Sequence, residues 1–401
     1  MRCYWDFYAA GKLMFGGGVI DQLAAEIQKE SRRRPLIITD KNLANAGVVE
    51  RVLAATGEKA KDTCVFQESE DEPSLEEALK AFQVAEGYKP DTIIGLGGGS
   101  NMDLAKMTAL LLAHGGAPED YFGFDQIPGP VTPLVCIPTT SGTGSEVSHA
   151  AVLTDTESGL KVSTLSRHLR PSLAIVDPEL TMTCPRHVTA ESGMDALTHA
   201  IEAFTARQPA DLSTADGEDL PYPGKNPMAD ALAEKAIRLI GQNLEQAVKN
   251  PDDKVAREQM SLAATLAGLA FSNGAVAVVH ALEYPMGVEL HCSHGQGNGL
   301  LLPYVMRFNK PARIKAFAQI SEFLGCQTKG LSLEGAADKA IEKVESIKRN
   351  VGLPEKIRDI GGKREQLCAF ADKSIQIKRL MDINPVQPSR DDLLCILESA
   401  F

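Results

Sequence analysis

The first part of the chain, about 180 residues, alternates short apolar runs with segments of helical periodicity, and this order constrains the fold most. RPLIITD at 34–40 predicts a buried strand, and the amphipathic SLEEALKAFQVAEG at 74–87 predicts a helix. We expect another helix from Asn42 to about Thr56. The remaining elements are strands at 62–66 and 134–138, a strand-to-turn segment at 91–100 and a helix at 101–114. Strands and helices in this alternation predict a parallel sheet with helices on both faces.

The periodicity changes after Pro178. From there a three-to-four-residue apolar spacing dominates and strand-like runs almost vanish, so we predict an all-helical second half. A chain of 401 residues is too long for a single core. The Pro-punctuated DPELTMTCP at 177–185 is the expected connection, and we place the two domains at 1–181 and 182–401.

Two local features of the second half predict a loop and a helix start. The stretch ADGEDLPYPGKNP at 215–227 is rich in glycine, proline and acids, which predicts a surface loop between helices. Near the C-terminus, Ser389 is placed as an N-cap, and Asp391 and Asp392 favour the first turn of a helix.

Charge and cysteine content narrow the classes of partner. The formal net charge is -12, and a chain without a dense basic surface is not expected to bind nucleic acid. No run reaches the ~20 apolar residues that span a bilayer, and the N-terminus lacks the apolar core of a signal peptide. The 8 cysteines lie far apart and form no CxxC pair, so neither a zinc ribbon nor a disulfide framework is expected, and scattered single thiols fit a reducing compartment. We therefore expect a cytoplasmic protein with no nucleic-acid or membrane partner.

A glycine-rich turn, Gly97, Gly98, Gly99 and Ser100, joins an apolar run to a helix. Backbone without side chains can approach a pyrophosphate closely, and the N–H groups that begin the following helix favour negative charge. The spacing is not the GxGxxG of the usual dinucleotide fingerprint. A phosphate-binding turn and a plain tight turn are both compatible with these residues.

A second polar loop, PTTSGTGSE at 138–146, follows the strand at 134–138. It offers hydroxyl and backbone donors, and we count Thr139, Thr140 and Ser145 among the candidate cofactor contacts. Ligands of open α/β sheets bind at the carboxyl ends of the strands, where both polar loops are expected to lie.

Asp40 ends the run at 34–40 and has two candidate roles. Its carboxylate can accept hydrogen bonds from the ribose hydroxyls of an adenosine, and its charge then favours NAD over NADP. It can equally cap the helix that follows. The residues alone leave both roles open.

Four polar residues of the second half form a candidate metal site. Asp195 and His199 are four apart, so a helix stacks both side chains on one face. His280 lies in an apolar run, where a buried imidazole needs a partner. The glycine-rich CSHGQGNG gives His294 close access to a ligand, although His291 is an equally available neighbour. A carboxylate with imidazoles and no thiolate suits Fe(II), Zn(II), Ni(II) or Mn(II).

Together these motifs resemble those of the iron-containing (group III) alcohol dehydrogenase family over nearly the full chain. The matching segments are GGGSNMDLAK, CIPTTSGTGSEV, LRPSLAIVDPELT, GMDALTHAIEAF, HG-x-x-N followed by LLP, and the late NPVQPS. The family pattern has a ligand histidine directly before a glycine equivalent to Gly295, so the resemblance selects His294 rather than His291.

The resemblance implies a Rossmann-like N-terminal domain, a helical C-terminal domain and a cleft between them, as in dehydroquinate synthase-like proteins. It implies an enzyme that interconverts a primary alcohol and its aldehyde or semialdehyde by hydride transfer with NAD(H), with one divalent ion as Lewis acid. Fe(II) is the expected ion and Zn(II) the second choice, in a homodimer or higher homo-oligomer. The implied cofactor contacts are Gly97, Gly98, Gly99, Ser100, Asp103, Thr139, Thr140 and Lys161, with Lys106 as another matching lysine.

One position departs from the family pattern. Many members carry a histidine four residues after the third ligand, and here that residue is Tyr284. A tyrosine hydroxyl, with an ordinary pKa of about 10, is a poor base at neutral pH. Tyr284 therefore either relays a proton or only shapes the pocket.

The sequence leaves the substrate open. Glycerol dehydrogenase-like and dehydroquinate synthase-like activities are alternatives within related proteins, and a non-catalytic nucleotide-binding protein is a further one. His149, Lys161 and Arg167 are the candidate partners for an anionic tail on the substrate.

Overall fold

The structure, a computed structural model, describes residues 4–57, 62–157, 159–212 and 220–401. The chain divides into an α/β unit, Ala9–Cys184, and a helical unit made of Pro185–Phe401 with residues 4–8. The division falls within the Pro-punctuated connection at 177–185, and the domain bounds 1–181 and 182–401 stay a prediction.

The α/β unit is built on a parallel sheet, as predicted. Its strands are β1 (Leu13–Phe15), β2 (Pro35–Ile38), β3 (Cys64–Phe66), β4 (Thr92–Gly97), β5 (Gly123–Phe124), β6 (Leu134–Pro138), β7 (Ala150–Asp155), β8 (Leu160–Leu165) and β9 (Leu173–Val176). Six of them pair in parallel in the order β1-β9-β6-β4-β2-β3. The carboxyl ends of β4 and β6, which precede the two polar loops, are therefore neighbours.

Helices cover both faces of this sheet. They are α1 (Leu23–Lys29), α2 (Lys41–Asn45), α3 (Val48–Thr56), α4 (Leu75–Tyr88) and α5 (Gly99–His114). Successive residues of β2 point to opposite faces: Ile37 packs in a core with α1 and α3, whereas Leu36 and Ile38 pack in a core with α4 and α5. A strand buried on both faces is continuously apolar, which is why the run at 34–40 predicts a strand so clearly.

Two details of the α/β unit differ from the sequence prediction. The single helix expected from Asn42 to Thr56 is wrong, because the chain forms α2 and α3 with Gly47 between them at φ 77. That left-handed conformation suits glycine and interrupts a helix. The second difference is a small sheet in which β7 and β8 pair antiparallel and β5 adds in parallel to β8.

Among the residues described, the second unit contains helices and no strand, as predicted. The helices are α6 (Arg186–Thr205), α7 (Pro227–Lys249), α8 (Lys254–Asn273), α9 (Val278–Leu290), α10 (His294–Asn309), α11 (Ile314–Phe323), α12 (Leu333–Asn350), α13 (Leu367–Ser374), α14 (Lys378–Ile383) and α15 (Arg390–Ala400). Their apolar faces form one core. Ser389 caps α15 as predicted, since its Oγ accepts the backbone N–H of Asp392 at 3.1 Å.

The loop predicted at 215–227 is only partly described, because residues 215–219 lie outside the described residues. In the part that is described, the expected surface position is wrong: Tyr222, Gly224 and Asn226 are buried. Asn226 holds this segment inward, since its amide donates to Asn273 O at 2.7 Å and its Oδ1 accepts from Ala229 N at 3.0 Å.

In the described ranges, no single helix has both the length and the apolar composition needed to cross a membrane. One sharply bent pair, Lys254–Asn273 with Val278–Leu290, meets that criterion by length and composition alone.

Candidate metal centre and nucleotide-binding loops

Three helices of the helical unit bring four potential metal ligands together. Asp195 and His199 come from α6, His280 from the first turn of α9, and His294 from the first residue of α10. Their ligand atoms all lie within 4.8 Å of one another. The Nε2 atoms of the three imidazoles lie 3.8, 3.9 and 3.9 Å from Asp195 Oδ1, in the order His199, His280, His294. The predicted cluster therefore exists as a geometric unit.

Glycines allow α10 to approach α6 closely enough for this convergence. A Cβ on Gly295 would lie 2.4 Å from the carbonyl oxygen of Glu191, and one on Gly299 would lie 2.9 Å from Cβ of Met194. No side chain fits at either position. The sequence predicts that the glycine-rich motif admits a ligand, whereas these glycines bring two helices together, and His294 arrives beside Asp195 as a result.

Two buried carboxylates hold the ring nitrogens that face away from the cluster. Glu202 Oε2 lies 2.6 Å from His280 Nδ1, and Glu283 Oε2 lies 2.5 Å from His294 Nδ1. A carboxylate oxygen facing Nδ1 favours the tautomer in which Nδ1 carries the proton. In the neutral imidazole, Nε2 then presents its lone pair to the cluster, which is the form that binds a metal.

Aromatic contacts orient the third imidazole. The ring of His199 stacks on Phe271, with centroids 4.4 Å apart, and on His280 at 4.8 Å. Tyr284, one turn after His280 in α9, is buried beside the cluster, and its ring centroid is 6.1 Å from that of His294. Its predicted role in proton transfer stays a prediction.

Asn298 lies against the inner side of the cluster. Its Nδ2 donates to Asp195 Oδ1 at 2.8 Å and lies 3.2 and 3.1 Å from Nε2 of His280 and His294. Burial raises the pKa of Asp195, but the positive charge of the three histidines in their protonated form, together with the Asn298 hydrogen bond, outweighs it, so the net shift is downward. The carboxylate is therefore ionised at neutral pH.

These residues fit a divalent ion. One carboxylate oxygen and three imidazole nitrogens converge as acceptors in a buried space, which is unfavourable unless a cation or donors share it. Hard oxygen with borderline nitrogen suits a first-row divalent ion. His291, the alternative ligand, is exposed at the end of α9 with φ 51 and does not belong to the cluster.

In the α/β unit, the glycine turn forms the junction of β4 and α5. Gly97 ends the strand at φ 142, and a Cβ there would lie 2.0 Å from Asn101 Nδ2. Gly98 is the N-cap residue of α5 in an extended conformation, and a Cβ on it would meet nothing nearer than Thr140 at 3.7 Å. Backbone at the start of a helix with open space beside it is an anion-binding arrangement.

The loop at 138–146 lies directly beside this turn. Thr139 N donates to Gly97 O at 3.0 Å, and a Cβ on Gly99 would lie 2.8 Å from Thr143 Cγ2. The two polar loops therefore form one surface at the carboxyl ends of β4 and β6, as the strand order predicts.

Asp103, Lys106 and Ser145 form a buried network that supports this loop. Asp103 accepts from Ser145 Oγ at 2.6 Å and from Val152 N at 3.0 Å. The fully buried Lys106 donates to Ser145 Oγ at 2.6 Å and to Ala150 O at 2.6 Å. These contacts brace the loop at 138–146 against β7, while direct contact of Asp103 or Ser145 with a cofactor stays a prediction.

The other candidate cofactor residues also have partners within the protein. Asp40 caps α2, accepting Leu43 N at 2.9 Å through Oδ1, and accepts Asn101 Nδ2 at 2.7 Å through Oδ2. Ser100 Oγ donates to Asp71 O. Lys161 Nζ lies 3.1 Å from Glu72 Oε2. The capping role of Asp40 is thus observed, and its contact with a ribose stays a prediction.

Sequence reasoning missed Glu202 and Glu283 as parts of the site. Both stand in apolar helical surroundings, three residues after His199 and His280 respectively. A glutamate is almost never fully buried without a partner, so its fixed spacing from a candidate ligand is a usable signal. Asn298 enters the sequence prediction only as a letter of the HG-x-x-N motif.

Comparison with known proteins gives a consistent result. The chain matches the family model described as "Iron-containing alcohol dehydrogenase" over residues 10–178 and that of "Fe-containing alcohol dehydrogenase family, C-terminal" over residues 218–401. Long-chain-alcohol dehydrogenase 1 of Geobacillus thermodenitrificans is 38% identical over 96% of this chain and 94% of its own. NAD-dependent methanol dehydrogenase of Bacillus methanolicus is 33% identical over 99% and 100%. The solved alcohol dehydrogenase from Oenococcus oeni has a TM-score of 0.92 at 31% identity, over 99% and 100%.

Proposed function

This chain belongs to the iron-containing alcohol dehydrogenase family, and from that premise we propose that Asp195, His199, His280 and His294 hold the divalent ion of an NAD(H)-dependent enzyme. The reaction is the interconversion of a primary alcohol and its aldehyde. The observation that carries the proposal is the convergence of these four side chains, from three helices, within 4.8 Å.

The protein's own residues prepare this site. When bound, the divalent ion supplies Lewis-acid polarisation and NAD(H) supplies the hydride acceptor or donor. Asp195 contributes an ionised oxygen, and Glu202 and Glu283 keep the Nε2 lone pairs of their imidazoles directed into the cluster. Tyr284 on α9, whose ring lies beside that of His294, is the proposed residue for holding a proton at this site.

The glycine turn and the loop at 138–146 are the proposed cofactor site. Gly98 and Gly99 supply backbone at the start of α5 for the pyrophosphate, and Thr139 and Thr140 line the adjoining loop. Ser100, Asp103, Ser145, Lys161 and Asp40 complete the proposed set of cofactor contacts. NAD is favoured over NADP because the Asp40 carboxylate would repel a 2′-phosphate.

The donor atoms of the cluster limit the choice of metal ion, and the names of the relatives indicate the class of substrate. Fe(II) is the expected ion, and Zn(II) is the second choice because the same donors bind it. One relative is named for long-chain alcohols and another for methanol, so we propose an alcohol substrate without a fixed size. An anionic tail would need a cation near the site, and His149, Lys161 and Arg167 are the candidates.

We also propose a cytoplasmic homodimer or higher homo-oligomer with no nucleic-acid or membrane partner. A net charge of -12 disfavours nucleic acid as a partner, and scattered single thiols fit a reducing compartment. Size-exclusion chromatography with light scattering tests the oligomeric state directly.

The decisive experiment measures metal and turnover together. Protein purified anaerobically is analysed for metal content and then assayed for aldehyde-dependent NADH oxidation, before and after chelation and after addition of Fe(II) or Zn(II). We expect a stoichiometric divalent ion, activity that chelation removes and activity that the added ion restores. Full activity in chelated protein would exclude the metal mechanism, and a bound ion without NADH oxidation would favour a synthase-like or non-catalytic role.

A further inference from the structure

Each of the three ligand-bearing helices also carries a polar side chain that is not a ligand. These side chains are Glu202 on α6, Glu283 on α9 and Asn298 on α10. Each contacts a ligand on a different helix: Glu202 reaches α9, Glu283 reaches α10 and Asn298 reaches α6, while Asn298 also lies beside Nε2 of His280 and His294. We propose that Glu202, Glu283 and Asn298 are positioning residues that close a ring of hydrogen bonds and assemble the metal site before the ion binds.

The first link joins α6 to α9. Glu202 Oε2 bonds His280 Nδ1 at 2.6 Å and also accepts Ala277 N at 2.8 Å, while Oε1 accepts Val279 N at 2.8 Å. One carboxylate therefore fixes both the start of α9 and the ring of its ligand. Orphan N–H groups at a helix start are satisfied here by a side chain from another helix.

The second link joins α9 to α10. Glu283, with no exposed surface, bonds His294 Nδ1 at 2.5 Å. Gly297 makes room for it, because a Cβ at that position would lie 2.7 Å from Glu283 Cγ. The glycine and the carboxylate together set where His294 enters the cluster.

The third link returns from α10 to α6. Asn298 Nδ2 donates to Asp195 Oδ1 at 2.8 Å, so the last ligand helix holds the first ligand. A neutral donor stabilises the buried carboxylate without adding a charge.

The order of the hydrogen bonds follows the order of the ligand-bearing helices along the chain. His199 and His280 are each followed by a glutamate three residues later, and each glutamate bonds a histidine of the next ligand-bearing helix: Glu202 on α6 bonds His280 on α9, and Glu283 on α9 bonds His294 on α10. Loss of one link therefore loosens a ligand on another helix, and the effects of two losses should not add.

This inference rests on the proposed metal centre and is tested by metal affinity rather than by turnover. The variants are Glu202→Gln, Glu283→Gln and Asn298→Leu. Glu191→Gln is the matched control, because Glu191 on α6 accepts Ser293 Oγ at the start of α10 at 2.7 Å, which is an α6–α10 link without a ligand. Zn(II) and Co(II) affinities are measured by competition with a chromophoric chelator, with the spectrum of bound Co(II) and the Tm of the metal-free protein alongside.

We expect each ring variant to lose about 10- to 100-fold in affinity and to change the Co(II) spectrum, whereas the control does neither. The double variant Glu202→Gln with Glu283→Gln should depart from the product of the single effects. Wild-type protein that binds no divalent ion would refute the metal centre itself. Wild-type binding with unchanged affinities in the variants, or multiplicative effects, would overturn the ring.

A second measurement covers variants that do not fold. In wild-type protein labelled with 15N-histidine and freed of metal, His280 and His294 should show a protonated Nδ1 and an unprotonated Nε2, with signals assigned through His280→Gln and His294→Gln. The opposite tautomer at either residue would overturn the corresponding link.

Discussion

The candidate site of the α/β unit is formed mainly by backbone and short hydroxyl side chains, whereas that of the helical unit is formed by side chains from three helices. In the α/β unit, the site is a surface of backbone at Gly97–Gly99 and short hydroxyl side chains at 138–146, on two loops that follow neighbouring strands. In the helical unit, the site is a cluster of side chains from three helices. It consists of the four candidate ligands and Asn298, which bonds Asp195. A backbone site depends on where the chain turns, whereas a side-chain site depends on how helices far apart in sequence pack.

The consequence is a different tolerance of change. The glycine turn has open space beside Gly98, where a methyl group meets only Thr140. At Gly295 and Gly297 of α10, a methyl group would collide with Glu191 or Glu283. A substitution at Gly98 is therefore expected to act on cofactor binding, whereas substitutions at Gly295 or Gly297 should act on metal and stability together; Gly97 and Gly99 of the same turn are as crowded as the α10 glycines.

The largest expected effect follows from removing a ligand. Asp195→Ala should lose the bound metal and reduce turnover by about a thousandfold, because a Lewis-acid ion supplies several kcal/mol of transition-state stabilisation. His280→Ala should do the same. Metal analysis and steady-state kinetics measure both effects.

His291→Ala is the control for this prediction. His291 precedes the motif by three residues, is exposed and ends α9 outside the cluster, so its loss should change neither metal content nor kcat. A metal-free His291→Ala protein, or an Asp195→Ala protein that keeps its metal, would contradict the assignment of ligands.

The next effect tests the close packing of α10 on α6. Gly295→Ala places a Cβ 2.4 Å from the carbonyl oxygen of Glu191, which cannot move like a side chain. Overpacking of this kind costs about 1–3 kcal/mol of unfolding free energy, and metal affinity should fall with it because His294 is the adjacent residue. Urea denaturation of the metal-free protein gives the first quantity.

The paired control lies in the other unit. Gly87, near the end of α4, has nothing within 4 Å of the position that an added methyl group would take, so Gly87→Ala should be neutral or stabilising by about 0.5–1 kcal/mol. If Gly295→Ala and Gly87→Ala change the free energy of unfolding by the same amount, close packing of α10 on α6 is not what makes Gly295 necessary.

The sequence predicts the α/β unit and the metal ligands far better than the residues that hydrogen-bond those ligands. PLII at 35–38 and LVCIP at 134–138 are continuously apolar because both faces of each strand are buried, so local pattern suffices. His280 stands out because an imidazole in an apolar run needs a partner. The break at Gly47 escapes prediction because the helical periodicity continues across it.

The residues that hydrogen-bond the ligands escape sequence prediction for a physical reason. Glu202 bonds His280, 78 positions away, and Asn298 bonds Asp195, 103 positions away. Neither partner is fixed by a local pattern, since only the packing of α6, α9 and α10 brings them within reach. Tyr222 and Asn226 show the same limit, because they are buried within a stretch whose proline, glycine and acid content predicts a surface position.

A smaller effect tests the backbone surface of the α/β unit. Gly98 has φ -77 and ψ -172, which alanine adopts freely, so Gly98→Ala should leave the unfolding free energy unchanged within about 0.5 kcal/mol. If a pyrophosphate lies against this turn, the added methyl group should raise the KM for NAD about tenfold, which is about 1.4 kcal/mol. An unchanged KM for NAD, with the fold intact, would remove the turn from the cofactor site.

The smallest expected effect separates the two roles of Asp40. Asp40→Ser keeps a side-chain acceptor for Leu43 N, so α2 stays capped, but it removes the negative charge. If the carboxylate faces the ribose, the ratio of kcat/KM for NADP to that for NAD should rise roughly fivefold, the equivalent of about 1 kcal/mol.

Asp40→Ala should show the same cofactor shift together with about 1 kcal/mol of lost stability, since it also removes the cap. If neither variant changes the cofactor ratio while Asp40→Ala still loses stability, Asp40 caps α2 and bonds Asn101 but does not select the cofactor. The backbone surface would then bind the dinucleotide without a charged selector, in contrast to the fully side-chain-built centre of the helical unit.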